Sequence, residues 1–160
     1  MQRCIVSFMQ DEAGDWVAEL DCFHRQHVRH DPPFRSAPWV NDELTRSERI
    51  GTSLPCPLCD RAELPDGLIV TRVTDRWDER TMPAGLRRVH RMARGTWGRL
   101  CVESGELRFR AQTDPVIDVV VQAGASHAIP PTVEHHVEPL GSVRFFIEFL
   151  GPSRPASVGR

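Results

Sequence analysis

Two short clusters of cysteine and histidine residues, well separated along the chain, most constrain what this protein can fold into. The first lies between Cys22 and His30 and the second between Cys56 and Cys59; together they hold three of the five cysteines and three of the seven histidines. Thiolate and imidazole are the ligands that zinc prefers, and a structural zinc ion takes four of them in a tetrahedron. The clusters therefore predict a small N-terminal module that is organised around a structural zinc ion.

Three of the four ligands follow from the pattern, and the fourth stays open between two histidines. The Cys-Pro-Leu-Cys turn of the second cluster lets both of its sulfurs reach one ion, and Cys22 is the third candidate. The fourth ligand is either His24, in a predicted turn after Cys22, or His27, at the start of a returning strand, with His30 behind them. An ion with four protein ligands has no open position, so the predicted site is structural rather than catalytic.

The rest of the composition predicts a cytoplasmic protein with no membrane partner. The 160-residue chain contains no apolar run that approaches the length of roughly 20 residues needed to span a bilayer. Polar residues interrupt the N-terminus too early for a secretory signal. Because thiols stay reduced in the cytoplasm, paired cysteines there bind metal more often than they form disulfides. Cys4 and Cys101 stand alone, and we expect them to be small buried side chains.

Charge and loop composition argue against two other classes of partner. Residues 1–64 carry 7 Arg and 11 acidic residues, residues 65–160 carry 13 Arg and 11 acidic residues, and the chain has no Lys. Neither half is basic enough to follow a phosphate backbone, so no nucleic-acid partner is expected. No G-x-G-x-x-G loop is present, so S-adenosylmethionine chemistry is not expected either.

The apolar pattern predicts a mainly β protein of three segments, which are a zinc-ribbon-like β-rich module (1–64), a β-barrel (65–151) and a disordered tail (152–160). In the first segment we expect short strands at residues 5–8 and 16–20 and a helix at residues 41–49, with Asn41 or Asp42 as its cap. In the second, Leu-Arg-Phe-Arg-Ala at residues 107–111 alternates with a period of two. Many short strands between Gly and Pro turns predict a sandwich or a small closed barrel.

Two histidines of the β region are predicted to face each other. His90 precedes one of the long predicted strands, and His135 follows a Pro-Pro pair on a later one. On that later strand His135 shares a face with Val137, whereas His136 shares a face with Glu138. Because the apolar face of a barrel strand points inward, His135 rather than His136 is predicted to face the interior.

The motifs of the second segment also follow a recognisable order, which is Pro83-Ala84-Gly85-Leu86, His90, Trp97-Gly98-Arg99, Gly105-Glu106-Leu107, Pro130-Pro131, His135 and Phe145-Phe146-Ile147-Glu148-Phe149. In order and spacing they resemble the cupin-like domain of tellurite-resistance protein B and its stand-alone relatives, over about residues 66–150. The N-terminal segment resembles a small bacterial family of unknown function through Asp15-Trp16-Val17-Ala18-Glu19-Leu20, His27-Val28-Arg29-His30-Asp31-Pro32-Pro33, Pro38-Trp39-Val40 and Cys56…Cys59-Asp60-Arg61.

The resemblance implies a single-domain cupin-like β-barrel with a divalent metal, Zn, Fe or Ni, in its mouth. Carried over position by position, it implies His90 and His135 as ligands, because the other positions of the first cupin motif hold no ligand-type side chain here. Glu148 is the best candidate for a third ligand. It lies in an apolar strand, where a carboxylate without a cation or hydrogen-bond partner is costly to bury.

These features favour a metal-binding protein of stress response or detoxification, which the resemblance links to tellurite or a related oxyanion. The expected ligand is a small anion or small molecule, and Arg87, Arg88, Arg91 and Arg94 form either a solvated face or an anion-binding rim. A homodimer is implied by the resemblance. Two alternatives stay open: a small cupin-type oxygenase or isomerase, and a zinc-ribbon regulatory or interaction protein. The first ranks lower because the metal-binding triad is incomplete, and whether the chain catalyses any reaction stays open.

Overall fold

The structure, a computed structural model, describes residues 1–28 and 37–153, and this part of the chain is mainly β. The chain divides into two compact units, Met1–Leu58 and Cys59–Arg160, and the division falls inside a short helix, α2 (Pro57–Asp60). His30 and the predicted tail after residue 153 lie outside the described residues. In the described ranges, no helix is both long and apolar enough to cross a membrane.

The first unit is built on one antiparallel sheet with the strand order β3-β2-β1-β4. Its elements in chain order are β1 (Gln2–Gln10), β2 (Trp16–Leu20), β3 (Arg25–His27), a 3-10 turn (Pro38–Asn41), α1 (Glu43–Arg49) and β4 (Ser53–Pro55). The side chain of Asp42 caps α1, accepting a hydrogen bond from the backbone N–H of Thr45 at 2.8 Å. The predicted helix and its cap are therefore confirmed, and the first strand is longer than predicted.

The second unit contains two antiparallel sheets, with the orders β10-β9-β12-β7 and β11-β8-β13-β5; β6 also pairs with β13. Its elements are β5 (Leu68–Val73), β6 (Trp77–Asp78), α3 (Ala84–Arg87), β7 (His90–Arg91), β8 (Trp97–Ser104), β9 (Glu106–Ala111), β10 (Ile117–Gln122), β11 (Ser126–Ile129), β12 (Glu134–Pro139) and β13 (Arg144–Pro152). The last strand extends one residue into the predicted tail, because Pro152 pairs with Leu68.

The core of the second unit is formed by apolar side chains from both sheets. On β9, Leu107, Phe109 and Ala111 are buried, as the alternation predicts, and they join Leu100 of β8 and Phe145 of β13 in one cluster. Burial of this kind is the main source of stability in a β domain of this size. The predicted Ser-Gly turn between β8 and β9 is also present, and its glycine has a positive φ of 73°.

The closed barrel predicted from the sequence is not confirmed. Among the described residues, β10 and β7 end one sheet, β11 and β5 end the other, and no ladder joins the two sheets. Inward and outward residues alternate in the same way in a sandwich and in a barrel, so the sequence pattern could not separate these two architectures.

Candidate metal centre

The first two members of the N-terminal cluster are held by the turn that follows β2. Phe23 has a φ of 68°, a left-handed conformation that costs a non-glycine residue on the order of 1–3 kcal/mol. The N–H of Leu20 donates to the carbonyl of His24 at 2.9 Å and closes the turn. The Sγ of Cys22 and the Nδ1 of His24 lie 3.5 Å apart as a result.

The other two members are brought to the same place by β4 and α2. Because β4 pairs with the first residues of β1, its last residue leads directly to Cys56, whose N–H donates to the carbonyl of Met1 at 2.8 Å. Cys59 lies one turn later on α2, and its carbonyl accepts a hydrogen bond from the N–H of Ala62 at 3.0 Å. The Cys-Pro-Leu-Cys segment therefore presents both of its sulfurs from one short turn.

The ligand atoms of this cluster are close enough together to surround one metal ion. The Sγ atoms of Cys22 and Cys56 are 3.9 Å apart, and the Sγ of Cys56 lies 3.4 Å from the Nδ1 of His24. Ligand atoms of Cys22, His24, Cys56 and Cys59 all lie within 4.8 Å of one another. Zinc–ligand bonds at tetrahedral angles place two sulfurs about 3.8 Å apart and a sulfur and a nitrogen about 3.6 Å apart. The four side chains are thus close enough together to hold one metal ion.

The burial and the charge of the four side chains are consistent with binding a metal ion. All four side chains are buried, with exposed fractions between 0% and 3%. A Sγ–Sγ separation of 3.9 Å is far longer than the roughly 2.05 Å of a disulfide. Burial alone would lower the pKa of His24, but hydrogen bonds to Cys22 and Cys56 and the negative charge of their sulfurs raise it to about 9. The cluster therefore stabilises positive charge, and a divalent cation would displace the proton that the imidazole carries.

The structure distinguishes between the two histidines that the sequence left as alternatives for the fourth ligand. His24 lies in the cluster, whereas His27 on β3 is exposed and its Nε2 lies 3.2 Å from the Oδ2 of Asp11. His27 is thus not brought to the cysteines, because it lies on β3 beyond the turn that holds His24.

The two histidines of the second unit face each other across a pair of strands. His90 on β7 is the direct partner of His135 on β12, and the centroids of their rings are 4.2 Å apart. The Nδ1 of His90 donates to the carbonyl of Arg88 at 2.9 Å, and the Nδ1 of His135 donates to the carbonyl of Val133 at 2.8 Å. In the neutral rings these bonds leave each Nε2 as an acceptor, which is how metal-binding histidines are commonly oriented.

Burial keeps one of these two rings uncharged. His135 is 2% exposed, and its neighbour Val137 on the same face is also buried. Burial lowers the pKa of His135 to about 4 and outweighs the hydrogen bond to Val133, which raises it; His90 and His136 lower it further. His135 is therefore neutral at pH 7, and its Nε2 is available to a ligand.

Glu148, the predicted third ligand, is not brought to this pair. It lies on β13 between Ile147 and Phe149, which line the cavity described below, so its side chain points to the opposite face of the sheet. There its Oε2 lies 3.3 Å from Nη1 of Arg99 on the neighbouring strand β8. The ion pair supplies the partner that a half-buried carboxylate needs. Within residues 1–28 and 37–153, three or more potential ligands converge only at the N-terminal cluster.

A cavity of about 570 Å³ opens beside the histidine pair. Both imidazoles line it, together with Arg72 and Phe149, which the sequence did not identify as residues of a cavity. Of the four arginines considered as a rim, Arg91 lines the cavity. Arg87 instead donates from Nη2 to the carbonyl of Glu79 at 2.5 Å.

Two family models match the chain, over two separate ranges of residues. Residues 6–63, which include the four members of the N-terminal cluster, match the family described as Protein of unknown function (DUF3565). Residues 72–147, which include His90 and His135, match the TehB-like domain. No curated protein matches the sequence.

Several solved structures are similar to this chain. A crystal structure of a protein from E. coli strain K12 shares 26% identity with a TM-score of 0.54, and the match covers 61% of this chain and 94% of that one. The crystal structure of TehB from Haemophilus influenzae shares 26% identity with a TM-score of 0.49, over 54% of this chain and only 32% of that one. The structure of FeII HppE shares 17% identity with a TM-score of 0.38, over 46% of this chain and 40% of that one. The chain is thus similar to the TehB-like domain over residues 72–147, and the segment before it matches a family of unknown function.

Proposed function

We propose that the protein is a metal-binding protein whose N-terminal module, over about residues 1–64, is held together by one structural zinc ion. The ligands are Cys22, His24, Cys56 and Cys59. The observation that carries the proposal is that the distances among Cys22, His24 and Cys56, 3.4 to 3.9 Å, match those of a tetrahedral zinc shell, with the sulfur of Cys59 within 4.8 Å of all three.

The first unit also needs such an ion, because it buries few apolar side chains. Apart from the cysteines, its buried apolar residues are Ile5, Val17, Ala18, Leu20, Val28 and Val40 among those that the structure describes. Units of this size rarely fold on a hydrophobic core alone and commonly use a metal or disulfides. With four protein ligands the ion has no open position, so its function is structural.

The test is elemental analysis of the purified protein. Wild type should contain one equivalent of zinc, and Cys59→Ser should contain almost none. Cys4→Ser is the matched control, because Cys4 is a cysteine of the same unit that lies outside the cluster, and it should keep its zinc. Wild type without zinc, or Cys59→Ser with a full equivalent, would contradict the proposal.

A second candidate function concerns the TehB-like unit. We infer that it is a cupin-like domain whose His90 and His135 bind a divalent metal, Zn, Fe or Ni, and that it acts in cytoplasmic stress response or detoxification. The domain match and the two Nδ1–carbonyl hydrogen bonds support this inference. A metal held by two imidazoles has open positions, where it would act as a Lewis acid toward a bound anion.

Bacterial survival on tellurite tests this second candidate. A strain that lacks the protein should grow less well on potassium tellurite than one that carries wild type, and His135→Ala should not restore growth. Glu148→Gln should restore it, because Glu148 is paired with Arg99. Equal growth of all four strains would count against a function in tellurite resistance and would leave the zinc proposal intact.

A further inference from the structure

The cavity of the second unit has mainly apolar walls and a buried floor. Leu86, Met92, Ile147 and Phe149 supply apolar surface, and Met92 and Ile147 are only 7% and 5% exposed. The residues toward solvent, among them Arg72 and Ala93, are exposed. At about 570 Å³, the cavity has the size of sites that enclose small organic molecules, roughly 300–1,000 Å³.

The rim of this cavity carries one positive charge that no carboxylate balances. Two arginines line the cavity, and no Asp or Glu does so among the described residues. Arg91 is paired with Glu134, whose Oε1 accepts from its Nε at 3.2 Å. Arg72 forms no ion pair with a described residue; its guanidinium carbon lies 3.9 Å from the centre of the Phe149 ring. Stacking on the ring holds this guanidinium at the mouth and leaves its N–H groups available to an anion.

The two imidazoles add a different kind of contact. The Nδ1 of each ring donates a hydrogen bond to a backbone carbonyl, and this bond directs Nε2, the acceptor of a ring with a single proton on Nδ1, away from that carbonyl. The cavity therefore offers three separate features to a ligand: a cation at the rim, apolar walls, and acceptors on the rings.

We propose that this cavity binds a small organic monoanion, whose acidic group contacts Arg72 and whose apolar body lies against Leu86, Met92, Ile147 and Phe149. A hydrogen-bond donor on the ligand would meet the imidazoles. An inorganic oxyanion could reach Arg72, but it would leave the apolar walls without a contact. The inference extends the second candidate function by naming the class of ligand. The contacts with Arg72 and with the apolar walls do not depend on whether a metal occupies the histidine pair.

A pair of fluorescent probes with the same body and different charge tests the proposal. They are 8-anilinonaphthalene-1-sulfonate and its uncharged counterpart N-phenyl-1-naphthylamine, each titrated into the full-length protein. Wild type should bind the sulfonate about fivefold more tightly, which corresponds to one charge pair of about 1 kcal/mol near the surface. Equal affinity for the two probes would overturn the proposal.

Two variants with matched controls locate the binding. Arg72→Gln should remove the preference for the sulfonate and change the affinity for the neutral probe less than about twofold, whereas Arg94→Gln, at an exposed arginine outside the cavity lining, should keep the preference. Ala93→Trp should block the mouth and weaken both probes at least about tenfold, whereas Ala123→Trp should weaken neither. Binding that is the same in all four variants would show adventitious binding at another surface and would overturn the proposal.

Three further measurements separate this proposal from the metal proposals, from misfolding and from binding of an inorganic oxyanion. Metal content should be the same in Arg72→Gln and wild type, because Arg72 belongs to neither proposed metal site, so a lost preference would not reflect a lost metal. Circular dichroism should show that Arg72→Gln and Ala93→Trp fold, because both residues are exposed. Displacement of the sulfonate by an equal concentration of potassium tellurite would assign the cavity to an inorganic oxyanion and overturn the proposal.

Discussion

The N-terminal cluster and the histidine pair of the second unit use similar side chains, but only the N-terminal cluster brings together the four ligands of a tetrahedral metal site. In the N-terminal cluster four ligand atoms lie within 4.8 Å of one another in a buried site. In the second unit two rings lie 4.2 Å apart beside a large cavity, and the carboxylate expected to join them faces the other side of its sheet. A closed shell stabilises a fold, whereas an incomplete one beside a cavity is suited to binding a ligand.

The two units also differ in what makes them stable. The first unit buries few apolar residues, so we expect it to depend on its metal. The second has a continuous core between two sheets that includes Leu107, Phe109 and Phe145, so we expect it to be stable without one. This difference can be tested by treatments that affect one unit and leave the other unchanged.

Removal of metal should have the largest effect and should act on the first unit alone. Structural zinc contributes an apparent 10–16 kcal/mol or so to small zinc modules, more than such a unit gains from its core. After treatment with a strong chelator, hydrogen–deuterium exchange should lose protection in residues 1–58 and keep it in residues 66–152. Loss of protection in both ranges, or in neither, would show that the units do not differ in this way.

A substitution that removes buried volume from the core of the second unit should destabilise that unit and leave the zinc content unchanged. Leu107 is fully buried, so Leu107→Ala should lower the free energy of unfolding by about 2–5 kcal/mol while zinc stays at one equivalent. Val120→Ala is the control, because Val120 is 48% exposed on the neighbouring strand and its loss should cost less than about 0.5 kcal/mol. Urea denaturation measures both changes. A zinc content that falls together with stability in Leu107→Ala would contradict the expected independence.

His24, just before β3, and His27, at the end of β3, allow a matched test of the cluster. His24→Ala removes a ligand and should weaken zinc binding by more than about 100-fold, since even changes outside the ligand shell cost about 10–100-fold. His27→Ala removes an exposed imidazole paired with Asp11 and should leave zinc affinity within about twofold. Competition with a chromophoric chelator measures both. Similar losses of zinc affinity in the two variants would contradict the assignment of His24, rather than His27, as the fourth ligand.

The smallest effect is expected at the histidine pair, where the shell is incomplete. In zinc-loaded protein, His135→Ala should weaken binding of added Ni²⁺ by about tenfold, and Glu148→Gln should leave it unchanged because Glu148 is paired with Arg99. Isothermal titration calorimetry measures the affinity of each variant. A loss in Glu148→Gln as large as that in His135→Ala would mean that the carboxylate reaches the metal after all.

Much of the architecture could be read from local patterns in the sequence. The alternation at 107–111 predicted β9, the cap at Asp42 predicted α1, and the shared face of His135 and Val137 predicted which histidine is buried. These features depend on neighbours within a few residues. By contrast, β6 and β7 are two residues long, and no period can be seen in so short a segment.

The sequence by itself determined the mainly β character and the three cysteines of the N-terminal cluster, because local spacing and side-chain chemistry carry that information. The pairing of His90 with His135 was implied by the family resemblance. Only the tertiary structure decided between His24 and His27, turned Glu148 toward Arg99, left the sheets open, and placed Arg72 over Phe149 at the mouth of a cavity. Each of these outcomes depends on a turn geometry or a strand register, which bring together residues that no sequence spacing relates.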